Sequence, residues 1–166
     1  MKLESPAFTE TPAGSPQTAT GRIPAKYAMR SIPGGENVSV PYSWDGVPPE
    51  AKYLALTVVD TAPVAHEWVH WMVVGISASA TGVAEGASGT GRMPAGSQEL
   101  RNSFGFGGYG GPQPPAGTGA HPYVATLYAL DVSQLSLPSA PSLAQFKQAV
   151  AGHVVATASV TGRFGR

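Results

Sequence analysis

Four residues of this chain could act together on a small charged ligand: Asp60, His70, His121 and Tyr123. Asp60 follows the apolar run 53–59 (YLALTVV), and His70 stands between Val69 and Trp71 in a second run, 68–76 (WVHWMVVGI). A polar group in such a run needs a partner, because burying one unpaired costs on the order of 1–3 kcal/mol. Asp60 is the expected partner of His70. Only residues 61–67 separate the two runs, a connection short enough for an antiparallel hairpin. A carboxylate on one ring nitrogen fixes the tautomer and raises the imidazole pKa, leaving the other nitrogen to face a pocket. The plainer alternative is a core histidine satisfied by its neighbours, with no ligand.

His121 and Tyr123 lie two residues apart, so on a strand they point to the same face. Pro122 holds His121 extended. Both sit in the stretch 108–131, GYGGPQPPAGTGAHPYVATLYALD, whose first half is dense in Gly and Pro. Gly supplies positive φ, and Pro fixes φ and removes a donor. Such a loop can aim backbone N–H groups and one imidazole at a single spot. It can equally be a surface turn carrying an incidental histidine.

Two other chemistries use the same residue types. Two histidines and an aspartate can hold a metal, yet neither i, i+2 histidines nor an HExxH helix is present. A hydrolase could use the His/Asp cluster as an acid–base pair, but no GxSxG elbow marks a nucleophile. The run 86–91 (GASGTG) lacks a P-loop lysine and a following helix, and reads as a flexible loop. His66 and His153 have no pattern around them and are expected at the surface or an edge. The residues favour a binding protein that is not an enzyme and needs no cofactor or metal. The hydrolase and the His/Asp metal protein remain as alternatives.

The bulk numbers agree with one domain over residues 1–166. Lys+Arg and Asp+Glu are both 10, with no basic stripe, which argues against a nucleic-acid partner. A charged fraction of 12% gives weak colloidal repulsion, which favours self-association. The absence of cysteine excludes disulfides, thiolate metal sites and cysteine nucleophiles. The N-terminal MKLESPAFTE has no apolar core of a signal peptide, and no run reaches the roughly 18 apolar residues of a spanning helix. A cytoplasmic protein without stable membrane insertion is expected.

The 21 glycines and 16 prolines, spread without a period, suggest many turns between short strands. Strands are expected at 38–44, 53–59, 68–76, 123–130 and 153–160. Pro41 marks the first as an edge or a bulge. The pieces 7–8 and 26–28 could pair at an edge, and 77–98 reads as a long excursion. One helix is well signed: Ser142 and Gln145 form a capping-box pattern, Leu143, Phe146 and Val150 share a face, and Gly152 stops it. It is expected to cover a sheet edge. No helical crossovers separate the strands, so the chain reads as mainly β and antiparallel.

Taken together, KLESPAF, GRIPAKY, GENVSVPYSWDGVP with YLALTVVD, WVHWMVVGI, the long 108–131 segment and ATASVTGRFGR resemble the phosphatidylethanolamine-binding protein family, in its bacterial Raf-kinase-inhibitor-like branch. The resemblance implies a Greek-key fold of two antiparallel sheets with one or two short helices. It also implies a cavity for phosphate-like anions and phosphorylated headgroups, formed by Asp60, His70, Pro115, His121 and Tyr123, with Gly111 and Gln113 on the loop wall. Homodimers and a protein partner, a kinase or a protease, are implied for some relatives only. Three positions depart from the family pattern: the shortened Asp60-Thr61-Ala62-Pro63, Pro122 in place of an arginine, and Gly75 in place of an asparagine.

Overall fold

The computed structural model describes residues 1–10 and 20–166. Among the described residues, ten strands and one α-helix follow one another as β1 (Lys2–Glu4), β2 (Thr9–Glu10), β3 (Thr20–Arg22), β4 (Tyr42–Asp45), β5 (Tyr53–Asp60), β6 (Trp68–Ser77), β7 (Gly82–Val83), β8 (Gln98–Glu99), β9 (His121–Leu130), α1 (Leu143–Val150) and β10 (Val154–Phe164). They form a three-stranded sheet, β1-β4-β7, and a seven-stranded sheet, β2-β3-β10-β9-β5-β6-β8. Pairing is antiparallel except where β3 lies parallel on β10. β5, β6 and β8 are neighbours, and β9 returns after the long excursion to lie beside β5. The spatial order β9-β5-β6-β8 is that of a Greek key.

Every residue of β5 is buried, as expected of a strand covered on both faces. Leu54, Leu56 and Val58 join Tyr42, Trp44, Leu3 and Val83 in the core between the two sheets. Tyr53, Ala55 and Val59 face the other way, against Phe146 and Val150 of α1. The helix therefore covers a face of the large sheet, not the expected edge. Its capping box is present: Gln145 N–H donates to Ser142 Oγ (3.2 Å), and Ser142 N–H donates to Gln145 Oε1 (2.9 Å). Gly152 follows with φ +80°.

Several element boundaries differ from the expected ones: β9 begins earlier, at His121, and β10 runs on to Phe164. The strand expected at 38–44 begins only at Tyr42. Pro41 has no N–H to give a ladder, and Val38 N–H is already committed to Lys26 O. Residues 26–28 do not pair at an edge, because Ala25–Tyr27 winds into a 3-10 turn. Residues 7–8 lie outside the strands, in and beside a turn. The long excursion contributes β7 to the small sheet and ends in β8. Glu99 fastens it by accepting from Trp71 Nε1 (2.8 Å), Gly89 N–H (2.9 Å) and Ser88 Oγ.

The cap can be tested on its own. Ser142→Ala should lower unfolding free energy by about 1 kcal/mol in urea denaturation. It should leave ligand binding unchanged, since α1 lies on the face away from the two-sheet core.

Candidate functional site

Strand alternation gathers the polar residues at one end of the inter-sheet face. Leu54, Leu56 and Val58 point into the two-sheet core, so Asp60, next in the period of two, points the same way. Tyr123, Ala125, Leu127 and Ala129 do the same on β9, which places His121 on that face. The register sets Asp60 opposite Tyr123.

His70 arrives there differently. Val58 pairs with Trp71 and Val59 with Val69, so His70 is an extra residue opposite no partner. This bulge breaks the alternation: Val69 packs on the helix side and Trp71 on the two-sheet side. A bulge re-aims side chains in this way, often beside a functional site. A second bulge in β6 falls at Val74 and Gly75, where Gly75 takes φ +71°.

Asp60, His70, Gln113, Pro115 and His121 line one cavity of about 560 Å³. Its open side adds Val64, Ala65, His66, Trp68, Phe104 and Pro114. Asp60, His70 and His121 are all buried, at 4%, 3% and 2% exposure. The expected Asp60–His70 pair does not form. Asp60 Oδ2 instead lies 2.7 Å from His121 Nδ1, and its Oδ1 accepts Ala62 N–H at 2.9 Å. The bulge turns His70 toward the loop, where Nδ1 meets Gly110 O at 2.7 Å. Gly110 N–H in turn donates to His70 O at 2.8 Å, so the loop and β6 are latched on both sides.

The partners assign the protons of both rings. A carbonyl only accepts, so His70 Nδ1 carries hydrogen and donates to Gly110. In the neutral ring Nε2 is then the bare lone pair, on a residue that lines the cavity. Burial pushes the His70 imidazole down to about 4, against the opposing pull of the Gly110 carbonyl, the Asp60 charge and the Gly111 carbonyl. His121 is the reverse. Its Nε2 lies 2.8 Å from Thr118 Oγ1, and that hydroxyl spends its one hydrogen on Pro115 O at 2.7 Å. With that hydrogen on Pro115 O, Nε2 is the donor to Thr118 and Nδ1 the donor to Asp60, the hydrogen-bond pattern of an imidazolium beside a carboxylate.

Two expected site residues sit off the cavity wall. Tyr123 packs edge-on beneath His70 with ring centroids 4.9 Å apart. Its hydroxyl is buried, and burial with the nearby Asp60 carboxylate pushes its ionisation up, so it is a neutral phenol. Gly111 turns away: its N–H donates to Asn37 Oδ1 at 2.7 Å, and a Cβ there would run into Tyr27 O. Gln113 is on the wall and donates to Ser31 Oγ at 2.6 Å. Loop N–H groups were expected to point inward, but those of Gly110, Gly111 and Thr118 are bonded elsewhere.

The wall also holds residues that the sequence reading missed. Phe104 stands edge-on to both His70 and Trp68, each at 5.4 Å, and stacks on Phe106 at 5.9 Å. Asn102 holds that loop by donating to Gly108 O (2.9 Å) and accepting Phe104 N–H (2.9 Å). His66, expected at the surface, is exposed yet lines the cavity. It sits in the left-handed region (φ 49°), as does Glu67 (φ 56°). Nothing in spacing or composition signalled Phe104 or His66. Trp68 was visible only as the first residue of an apolar run.

Known proteins agree with this architecture. The phosphatidylethanolamine-binding protein family model matches residues 14–165. The chain belongs to the phosphatidylethanolamine-binding protein family. It is 42% identical to a UPF0098 protein of Methanothermobacter thermautotrophicus over 166 residues, all of this chain and 99% of that one. It is 36% identical to the UPF0098 protein YbhB of Escherichia coli over 132 residues, 78% of this chain and 83% of that one. The crystal structure of Escherichia coli YbcL, described as a new member of the mammalian family, superposes with a TM-score of 0.84. There the identity is 28%, with 99% of this chain and 98% of that one covered. These relatives place the chain in the bacterial branch of the phosphatidylethanolamine-binding proteins, as its motifs suggested. Among the described residues no helix is long and apolar enough to cross a membrane.

The buried neutral His70 carries a stability consequence. Its folded pKa, about 4, lies below the unfolded value near 6.5, so the unfolded chain binds the extra proton between them. The contribution is complete above pH 6.5 and is lost as pH falls. By pH 4, His70 alone should have removed roughly 3 kcal/mol of stability. Urea denaturation at pH 7 and pH 4.5 should show this loss in the wild type and a smaller one in His70→Gln.

Proposed function

We propose that this protein is a binding module, without turnover, for a small phosphate-like or phosphorylated ligand, and that it acts by regulation. The observation that carries the reading is the pairing of His121 with Asp60 at the closed end of the cavity. A buried carboxylate facing the cavity would repel an anion. Here both carboxylate oxygens are committed, one to Nδ1 and one to a backbone N–H. What remains toward the ligand is the other ring edge of a charged imidazole. Charge-assisted hydrogen bonds of this kind are roughly twice as strong as neutral ones.

The cavity volume, about 560 Å³, falls within the range of small-molecule sites and far exceeds a bare phosphate ion. Trp68, Phe104 and Phe106 form an aromatic ledge beside it. Of the five large apolar side chains most exposed among the described residues, Val64, Trp68 and Phe106 stand at or beside this mouth. An organic phosphate ester would set its headgroup on the histidines and its apolar part on the ledge.

The hydrolase reading has one point in its favour, the Asp60–His121–Thr118 sequence of hydrogen bonds. Proton direction counts against it. Thr118 gives its hydrogen to Pro115 O, so His121 is not placed as its base. For a metal, no group of three suitable side chains converges among the described residues. Homodimer assembly, a kinase or protease partner and a cytoplasmic location belong to the same proposal. Sedimentation, affinity capture and cell fractionation respectively test them.

Calorimetry with phenyl phosphate should give saturable one-to-one binding, with no release of phenol on incubation. His121→Ala should weaken binding at least about tenfold, the worth of one charge-assisted bond. Thr118→Val, which removes the competing acceptor from Nε2, should strengthen it a few-fold. Failure of phenyl phosphate, inorganic phosphate and phosphoethanolamine alike to bind would falsify the reading.

A further inference from the structure

The two cavity histidines present opposite hydrogen-bonding characters, and that difference specifies the protonation state of the ligand. His121 offers a donor: Nε2–H, now resting on Thr118 Oγ1. His70 offers an acceptor: its Nδ1–H is spent on Gly110 O, so Nε2 faces the cavity as a lone pair. We propose that the site takes a phosphate group in its monoprotonated form, its O–H donated to His70 Nε2 and an unprotonated oxygen accepting from His121 Nε2. This rests on the phosphate-binding reading above and adds to it which form is bound.

The geometry keeps His70 in this role from every side. Gly110 is held to β6 both by the His70 ring and by the His70 carbonyl, so the loop cannot slide to free Nδ1. A Cβ on Gly110 would meet the Phe104 ring at 2.5 Å, which closes the same contact from behind. The titratable groups facing His70 are Asp60 at the end of β5 and His121 and Tyr123 on β9. Asp60 and His121 neutralise each other as a pair, and Tyr123 is a neutral phenol. The pair carries no net charge that would favour a second imidazolium at His70.

Thr118 stands where the second ligand oxygen would sit. It lies between Gly117 (φ +79°) and Gly119 (φ +83°), and open space surrounds the Cβ position of both glycines. The hydroxyl can leave His121 without disturbing packed side chains.

Phosphate and sulfate esters separate this proposal from simple charge attraction. They match in size and shape, but near neutral pH a phosphate monoester can carry a proton and a sulfate ester cannot. A site built to accept a ligand O–H rejects the analogue lacking it, because its own acceptor is left facing a lone pair. The experiment is calorimetry of the full chain with phenyl phosphate and phenyl sulfate at pH 6.5. It is repeated in two buffers of different ionisation enthalpy, to count protons taken up on binding. Phenyl phosphate should bind at least about tenfold more tightly than phenyl sulfate, and any sulfate binding should take up close to one proton, landing on His70. In His70→Gln, whose amide can donate as well as accept, the phosphate-to-sulfate ratio should fall toward one. Equal affinities with no proton uptake overturn this inference and leave the anion site standing. Binding of neither ester overturns both.

Discussion

The buried contact between Asp60 and His121 joins the end of β5 to the first residue of β9, and the site is arranged around it. Neither residue can be there alone. A carboxylate buried to this degree without a partner would cost several kcal/mol, and so would an imidazolium. Paired at 2.7 Å they leave no net charge at the closed end of the cavity. The pair also decides what the neighbours do. With Asp60 taken, His70 has to satisfy its buried ring from the loop, and the Gly110 carbonyl is what it finds. With Nδ1 of His121 taken, its remaining donor points to the cavity side, where Thr118 receives it.

Much of this was legible in the sequence because strands alternate. Asp60 after an apolar strand, and His121 two residues before Tyr123, lie on the two-sheet face by the period of two alone. The helix was legible for an equally local reason, since a capping box and a C-terminal glycine are read within a few residues of each end. The family resemblance rested on segments now seen to build the two sheets and the cavity wall, and the chain's membership in that family agrees with it.

What escaped the sequence was set by departures from period and by contacts across long separations. The bulge at His70 is invisible in WVHWMVVGI, yet it carries the histidine away from Asp60 and toward Gly110. The expected partner was wrong for that reason. The family resemblance implies Gly111 on the cavity wall, but its backbone packs against Tyr27 and Ala28, partners more than 80 residues away in sequence. Phe104 and His66 come from irregular segments, one pinned by Asn102 and the other set in left-handed backbone. Neither arrangement leaves a spacing to read.

The central claim is that the two cavity histidines differ in protonation: His121 carries hydrogen on both ring nitrogens and His70 on Nδ1 alone. Two-bond nitrogen–proton correlation spectra of the histidine side chains, recorded near pH 7 on the ligand-free protein, report this directly. The account predicts imidazolium shifts for both nitrogens of His121, and for His70 a protonated Nδ1 beside an unprotonated Nε2. A neutral His121, or a His70 carrying its hydrogen on Nε2, would contradict it.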